Sequence, residues 1–141
     1  MIWVIDASVA IRWFLKDEDH PHAGAVLRHL IERPDFFAVP ELFAFEVYTV
    51  LSRLHPHGGE VFIKGVIPLL YGGLFRQPMT ESMAVRAARY VKRGLTGYDA
   101  CYAALAEELK GIWITFDEKA HQRVVKEGIS HDLKKSLPAS W

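Results

Sequence analysis

The chain begins Met1-Ile2-Trp3-Val4-Ile5-Asp6, and this stretch decides the fold class. The residues before Asp6 are all apolar, whereas a strand with one face in water alternates between apolar and polar residues. The pattern predicts a short strand that is buried on both faces, as in a parallel sheet covered by helices. Asp6 closes the apolar run and therefore falls at the carboxyl end of the predicted strand.

Similar apolar runs recur at residues 36–39 and 112–115. Residues 74–77 could form another short strand, and a weak final strand begins at Ile129. The segments between them are typical of helices, and strands that alternate with helices favour a parallel sheet between helical layers. We therefore expect a three-layer α/β/α fold with four or five short strands, formed by residues 1–141 as one domain.

Two of the predicted helices have apolar residues at helical spacing, which indicates the face that each turns towards the core. The first helix follows Pro40, a residue well suited to a first helical turn, and the second begins near Thr80. The side chains expected to face the core are Phe43, Val47, Val50, Leu51 and Leu54 in the first helix and Ala84, Ala87, Ala88 and Val91 in the second.

Composition narrows the class of protein. Half of the 141 residues are apolar and 24% are charged, which is typical of folded globular chains and not of disordered ones. Cys101 is the single cysteine, which favours a reducing compartment, and no apolar run approaches the roughly 20 residues that cross a bilayer. We expect a cytoplasmic protein with no membrane contact. The formal net charge is zero, so there is no overall electrostatic attraction to nucleic acid.

Four acidic residues are candidates for a site. Asp6 and Asp117 follow predicted strands, and ligands of open parallel sheets bind outside the carboxyl ends of the strands. Asp99 lies in the first turn of a predicted helix, and Glu46 lies beside the apolar stripe of the helix that follows Pro40.

Each of these acids also has a structural explanation. Asp6 and Asp117 are well placed to cap helices, and a charge such as that of Asp99 suits the start of a helix. Glu46 would be partly buried and would need either a cation or a partner such as Arg12. The alternatives remain open for each acid taken alone.

The combination of four acids favours a metal site. Carboxylates within a few ångströms of one another repel by about 4 kcal/mol per close pair at an effective dielectric constant of 20, and a cation relieves that repulsion. Sites made of oxygen alone suit Mg²⁺ or Mn²⁺, which also bind phosphate, so we expect phosphodiester chemistry. Ser8 and Thr115 stand two residues from Asp6 and Asp117, where their hydroxyls could orient ligands or make ordinary capping hydrogen bonds.

In order, spacing and context, four segments resemble the acidic motifs of the PIN-domain nucleases, in particular the VapC toxins of type II toxin–antitoxin systems. The resemblance covers nearly the whole chain. The segments are Val4-Ile5-Asp6-Ala7-Ser8-Val9-Ala10, Pro40-Glu41-Leu42-Phe43-Ala44-Phe45-Glu46-Val47, Tyr98-Asp99-Ala100-Cys101-Tyr102-Ala103-Ala104-Leu105-Ala106 and Ile114-Thr115-Phe116-Asp117.

The resemblance implies a Mg²⁺- or Mn²⁺-dependent endoribonuclease that forms a homodimer and is blocked by a VapB-like antitoxin. Asp6, Asp99 and Asp117 would then be metal ligands, directly or through water. Glu46 would bind the metal or help to activate the attacking water. The resemblance also matches residues 57–73 to a region that such toxins use for dimer or antitoxin contacts.

The sequence fits other classes of protein less well. A phospho-acceptor receiver domain needs a pair of acids after its first strand, whereas Asp6 stands alone, and a phosphatase of the Asp-x-Asp type would need an acid where Ser8 lies. A PIN-like binding module without catalysis is a further alternative, although carboxylates at all four positions argue against it. Arg86, Arg89 and Arg93 could follow an RNA backbone, but a solvated outer face is the favoured interpretation.

Overall fold

A computed structural model describes all residues, 1–141, and its centre is a parallel sheet. The sheet has five strands in the order β3-β2-β1-β4-β5. The α/β class and the predicted number of strands are therefore confirmed. The strands are β1 (Trp3–Ile5), β2 (Phe37–Pro40), β3 (Phe75–Gln77), β4 (Ile112–Thr115) and β5 (Ser130–Asp132).

Helices flank the sheet. Helix α7 packs against β1, β2 and β4, helix α6 packs against α7, and α3 contacts β2. None of the helices is long and apolar enough to cross a membrane. The helices are α1 (Ala7–Ala10), α2 (Pro21–Glu32), α3 (Leu42–Leu54), α4 (Gly58–Val61), α5 (Ile67–Leu70), α6 (Glu81–Lys92), α7 (Gly97–Glu108) and α8 (Glu118–Val124).

The strand order determines where a ligand would bind. The chain builds β1, β2 and β3 outwards on one side and then places β4 on the other side of β1, with Ile5 beside Ile114. The direction of winding reverses between β1 and β4, and the crevice at the carboxyl ends of such a strand pair is the usual ligand site of open parallel sheets. Asp6 and Asp117 follow these two strands.

The core confirms the reading of the first strand, because Trp3, Val4 and Ile5 are all buried. Helix α7 is buried over the whole run from Ala100 to Ala106, and its alanines allow the helix to lie close to the sheet. This close contact brings the first turn of α7 to the same end of the sheet as Asp6.

The predicted inner face of helix α6 is right only at Ala87. Met83, Ala87 and Tyr90 face the core, whereas Ala84, Ala88 and Val91 are exposed. Alanine fits either face of a helix, so the larger Met83 and Tyr90 side chains decide which face is buried.

The predicted inner face of helix α3 is only partly right. Phe43, Val47 and Leu51 are buried as predicted. Val50 is only partly buried and Leu54 is exposed, because the contact with the core is a single row of residues four apart.

The junction between α3 and α4 provides a test of this packing. A Cβ atom on Gly58 would collide with the backbone of Leu51 and Ser52, whereas a Cβ atom on the neighbouring Gly59 would meet nothing within 4 Å. We expect Gly58→Ala to lower the free energy of unfolding by roughly 1–3 kcal/mol.

The matched variant Gly59→Ala should leave the free energy of unfolding unchanged or raise it by up to about 1 kcal/mol. Urea unfolding followed by circular dichroism measures both variants. Equal stabilities for the two variants would contradict the close approach of α4 to α3.

Candidate functional site

Asp6 is the most buried of the four candidate acids, with only 5% of the residue exposed. It caps helix α1, and its Oδ1 accepts hydrogen bonds from the Ser8 backbone N–H at 3.0 Å and from the Ser8 hydroxyl. Its Oδ2 accepts from the Trp113 indole N–H at 2.9 Å and from the Thr115 hydroxyl. Both oxygens are therefore held by donors from α1 and β4.

The two predicted supporting hydroxyls lie in this network. The Ser8 hydroxyl oxygen accepts a hydrogen bond from the backbone N–H of Phe116 at 3.0 Å. The Thr115 hydroxyl oxygen accepts from the backbone N–H of Asp117 at 3.0 Å, and the two hydroxyls are 3.3 Å apart. Ser8 and Thr115 thus join the end of β1 to the end of β4, in addition to binding the Asp6 carboxylate.

Asp117 and Asp99 both lie at the beginning of helices. Asp117 caps α8, with its Oδ1 accepting from the Ala120 backbone N–H at 3.0 Å. Asp99 lies in the first turn of α7. Thr96 caps this helix, because its hydroxyl oxygen accepts a hydrogen bond from the backbone N–H of Asp99 at 3.1 Å. The expected capping roles of Asp6 and Asp117 are therefore present, and a site role would be additional to them.

Glu46 is half-buried on helix α3, as expected, but its partner is not Arg12. The Tyr102 hydroxyl donates to Glu46 Oε1 at 2.6 Å. Arg12 instead donates to the Ser8 backbone carbonyl at 2.7 Å and lies 3.7 Å from Glu18. Arg12, one of the two alternative partners that the sequence offers for Glu46, therefore binds elsewhere, and the buried tyrosine donates to Glu46 instead.

The four carboxylates influence one another electrostatically. Burial raises the pKa of Asp99 to about 6, and the charges of Asp6, Asp117 and Glu46 raise it as well, against a lowering by the Thr96 hydroxyl. Burial also raises the pKa of Glu46, and the charge of Asp6 adds to this rise, although the hydrogen bond from Tyr102 opposes it.

Asp6 shows the same balance between burial and hydrogen bonding. Burial raises the pKa of Asp6, while the hydrogen bonds from Ser8, Thr115 and Trp113 oppose the rise. None of the four acids forms an ion pair with a lysine, arginine or histidine. The fold therefore gathers acids that no basic side chain contacts directly.

The types of residue in this cluster fit a hard divalent cation. All the donors are carboxylate or hydroxyl oxygens, which Mg²⁺ and Mn²⁺ prefer. Burial is the main cause of the raised pKa of Asp99, and the charges of Asp6, Asp117 and Glu46, which add to it, are charges that a cation would offset. No group of three or more His, Cys, Asp or Glu side chains is arranged so that it could hold a metal ion directly. The donors fit in kind, whereas direct ligation by three of them would need side-chain movement.

Two residues at the site were not predicted as part of it. The indole N–H of Trp113 reaches Asp6, and the strand register places Trp113 beside Val4. Tyr102 lies three residues after Asp99, so the two share a face of α7. That spacing is the signal from which Tyr102 could have been identified, whereas Trp113 required the strand pairing.

The arginines of helix α6 belong to a structural contact. Arg86 and Arg89 both lie close to Glu107 Oε1, at 3.1 and 3.0 Å, and Arg93 pairs with Glu127. These ion pairs join α6 to α7 and to the turn after α8. The arginines therefore do not form the free basic stripe that contact with an RNA backbone would require.

Comparison with known proteins identifies the family. A family model for the PIN domain matches residues 3–127, so the chain belongs to the PIN domain family. No curated protein sequence matches the chain at a significant level.

Solved structures share the fold at low sequence identity. FitAcB from Neisseria gonorrhoeae is 16% identical with a TM-score of 0.70, over 94% of this chain and 99% of that one. VapC20 from Mycobacterium tuberculosis, described as a sarcin-ricin loop cleaving toxin, is 14% identical with a TM-score of 0.65, over 85% of this chain and 93% of that one. A toxin–antitoxin complex from Klebsiella pneumoniae is 16% identical with a TM-score of 0.67, over 92% of this chain and 96% of that one. The chain is similar to these proteins in fold.

The hydroxyl of Thr115 provides a test of the network around Asp6. Thr115→Val keeps the shape of the side chain but removes the donor to Asp6 and leaves the Asp117 N–H without its acceptor. We expect the free energy of unfolding to fall by roughly 1–3 kcal/mol.

The matched control is Thr49→Val, at an exposed threonine on α3, which should change stability by less than about 0.5 kcal/mol. Chemical denaturation measures both variants. If Thr115→Val were as stable as the control, the hydrogen bonds assigned to the Thr115 hydroxyl would be refuted.

Proposed function

We propose that this chain is a Mg²⁺- or Mn²⁺-dependent endoribonuclease and the toxin of a toxin–antitoxin pair, with residues 1–141 forming one nuclease domain. The observation that carries the proposal is the group of four carboxylates, Asp6, Glu46, Asp99 and Asp117, at the carboxyl ends of β1 and β4. The charges of the other three acids act on Asp99, and none of the four forms an ion pair with a basic side chain. They are also the acids of the segments that resemble the PIN motifs.

The proposed roles follow from how each carboxylate is held. Asp6, Asp99 and Asp117 would bind the cation, directly or through water, and Asp6 cannot rotate freely because donors hold both of its oxygens. Glu46 Oε1 accepts from Tyr102, whereas Oε2 accepts no hydrogen bond and is available to the cation or to a water. A bound divalent cation would supply charge stabilisation at the phosphate during cleavage.

RNA as the substrate and an antitoxin as the partner are supported by the relatives. VapC20 is described as cleaving the sarcin-ricin loop, which is an RNA target, and the Klebsiella structure is a toxin–antitoxin complex. The shared fold and the acid cluster make the same substrate class and a VapB-like antitoxin the proposal for this chain. The antitoxin would block access to the four carboxylates.

Cleavage of RNA by the purified chain tests the proposed activity. We expect a mixed cellular RNA pool to be cut with Mn²⁺ or Mg²⁺ and to remain intact with EDTA. Asp99→Asn should lower the rate roughly 100-fold or more, because it removes a charge on which the cation depends. Gel analysis of the RNA against time measures the rate.

The matched control for Asp99→Asn is Asp35→Asn, at an exposed aspartate that pairs with Arg33 away from the site. This control should cut at the rate of the unmodified chain. A folded chain that binds the metal but cuts no RNA would support the alternative, a binding module without catalysis, and would contradict the proposed enzyme.

We also propose that the chain forms a homodimer through the surface of residues 57–73. Within this surface, Ile63 is 65% exposed and Tyr71 is 71% exposed, which is costly for apolar side chains in water. Light scattering should give a mass about twice the 16.0 kDa of the chain, and Ile63→Asp should shift it to a single chain by placing a charge in the interface.

The matched control is Val85→Asp, at an exposed apolar residue on α6 outside this surface. It should leave the dimer intact. A single-chain mass for the unmodified protein at high concentration would refute the dimer, and an intact dimer of Ile63→Asp would place its interface elsewhere.

A further inference from the structure

Two buried aromatic side chains donate hydrogen bonds to two of the carboxylates, and the proposed metal ligands do not account for these contacts. The Tyr102 hydroxyl on α7 donates to Glu46 Oε1 at 2.6 Å. The Trp113 indole N–H on β4 donates to Asp6 Oδ2 at 2.9 Å. The rings of Tyr102 and Trp113 stack on each other, with centroids 6.2 Å apart and an angle of 15° between the planes.

We propose that Tyr102 and Trp113 act together as positioning residues that hold Glu46 and Asp6 in a fixed relation for the binding of a divalent cation. The inference rests on the proposed function, because it assigns a purpose to the geometry of the proposed ligands. Glu46 comes from α3 and Asp6 from the end of β1, so no single element sets their separation. The stacked pair connects the two carboxylates through the core.

Packing makes this connection rigid. Both Tyr102 and Trp113 are almost completely buried, at 1% and 0% exposed, and a side chain in a close-packed core cannot change rotamer without displacing its neighbours. Each ring also restricts the other through the stack. Movement of Glu46 away from Asp6 would therefore break a hydrogen bond and could not carry the tyrosine ring with it.

The direction of both hydrogen bonds is fixed by chemistry. An indole N–H can only donate, and a phenol hydroxyl 2.6 Å from a carboxylate oxygen donates its proton to that oxygen. Each carboxylate is therefore an acceptor, and each aromatic side chain fixes the position of the oxygen that it contacts.

A purely structural role predicts a different result from a positioning role. Buried tyrosine and tryptophan usually need a hydrogen-bond partner, and the two carboxylates could be no more than those partners. In that case, removing the tyrosine hydroxyl would change stability but not metal affinity. The two roles are therefore distinguished by the affinity for metal and by whether the loss of the hydroxyl changes kcat or KM.

The test is Tyr102→Phe, which keeps the ring and the stack and removes only the hydroxyl. We expect the Kd for Mn²⁺, measured by calorimetry on the full chain, to rise about tenfold, as is typical when a hydrogen-bond partner of a metal ligand is lost. The kcat for RNA cleavage should fall by a similar factor, with the KM for RNA unchanged. Trp113→Phe should change metal binding in the same direction.

Matched controls exist for both variants. Tyr90 is a buried tyrosine on α6 that lies near Glu107, away from the site, and Trp3 is a buried tryptophan at the opposite end of β1. Tyr90→Phe and Trp3→Phe should keep the Mn²⁺ affinity of the unmodified chain. In a Glu46→Ala background, Tyr102→Phe should cause no further loss of affinity, because its effect is exerted through Glu46.

The outcomes separate this inference from the proposed function. If Tyr102→Phe binds Mn²⁺ and cuts RNA like the unmodified chain, or if Tyr90→Phe loses as much affinity, the positioning role is overturned. A full additional loss in the Glu46→Ala background overturns it as well. An unmodified chain that binds no Mn²⁺ and cuts no RNA overturns the proposed function, and the positioning role with it.

Discussion

The buried carboxylate of Asp6 is the constraint on which the rest of the structure depends. Removing an ion from water costs several kcal/mol unless other groups compensate for it, and Asp6 forms no ion pair with a basic side chain. The compensation comes from hydrogen bonds donated by Ser8, Trp113 and Thr115. Trp113 and Thr115 lie on β4, so their hydrogen bonds to Asp6 hold the ends of β1 and β4 together. These two strands are the pair between which the direction of winding reverses.

The other acids reach this place through different elements. Helix α7 lies against the middle strands because its central residues are small, and that contact brings Asp99 near Asp6. Asp117 follows β4 directly, and Glu46 is held from behind by Tyr102. Elements that are distant in sequence therefore deliver negative charge to one crevice. The carboxylates in this crevice repel one another, and a bound cation would relieve that repulsion.

Much of the fold could be predicted, because unbroken apolar runs such as residues 1–5 and 112–115 mark buried parallel strands. The order of the strands could not be predicted, since apolar runs carry no information about which strands pair. The inner face of α6 was misplaced because its alanines fit either face. The four acids could be identified from motif and position, but the partners of Glu46 and Asp6, Tyr102 and Trp113, depend on packing between distant segments.

We propose that Asp6, Glu46, Asp99 and Asp117 together form one divalent-cation site. Anomalous diffraction from crystals soaked in Mn²⁺ tests this site most directly, because the Mn²⁺ signal locates the ion independently of any activity. We expect an anomalous peak in the crevice between β1 and β4, with oxygen ligands from these carboxylates or from waters that they hold. A crevice without a peak at saturating Mn²⁺, or a peak bound by other residues alone, would refute the site.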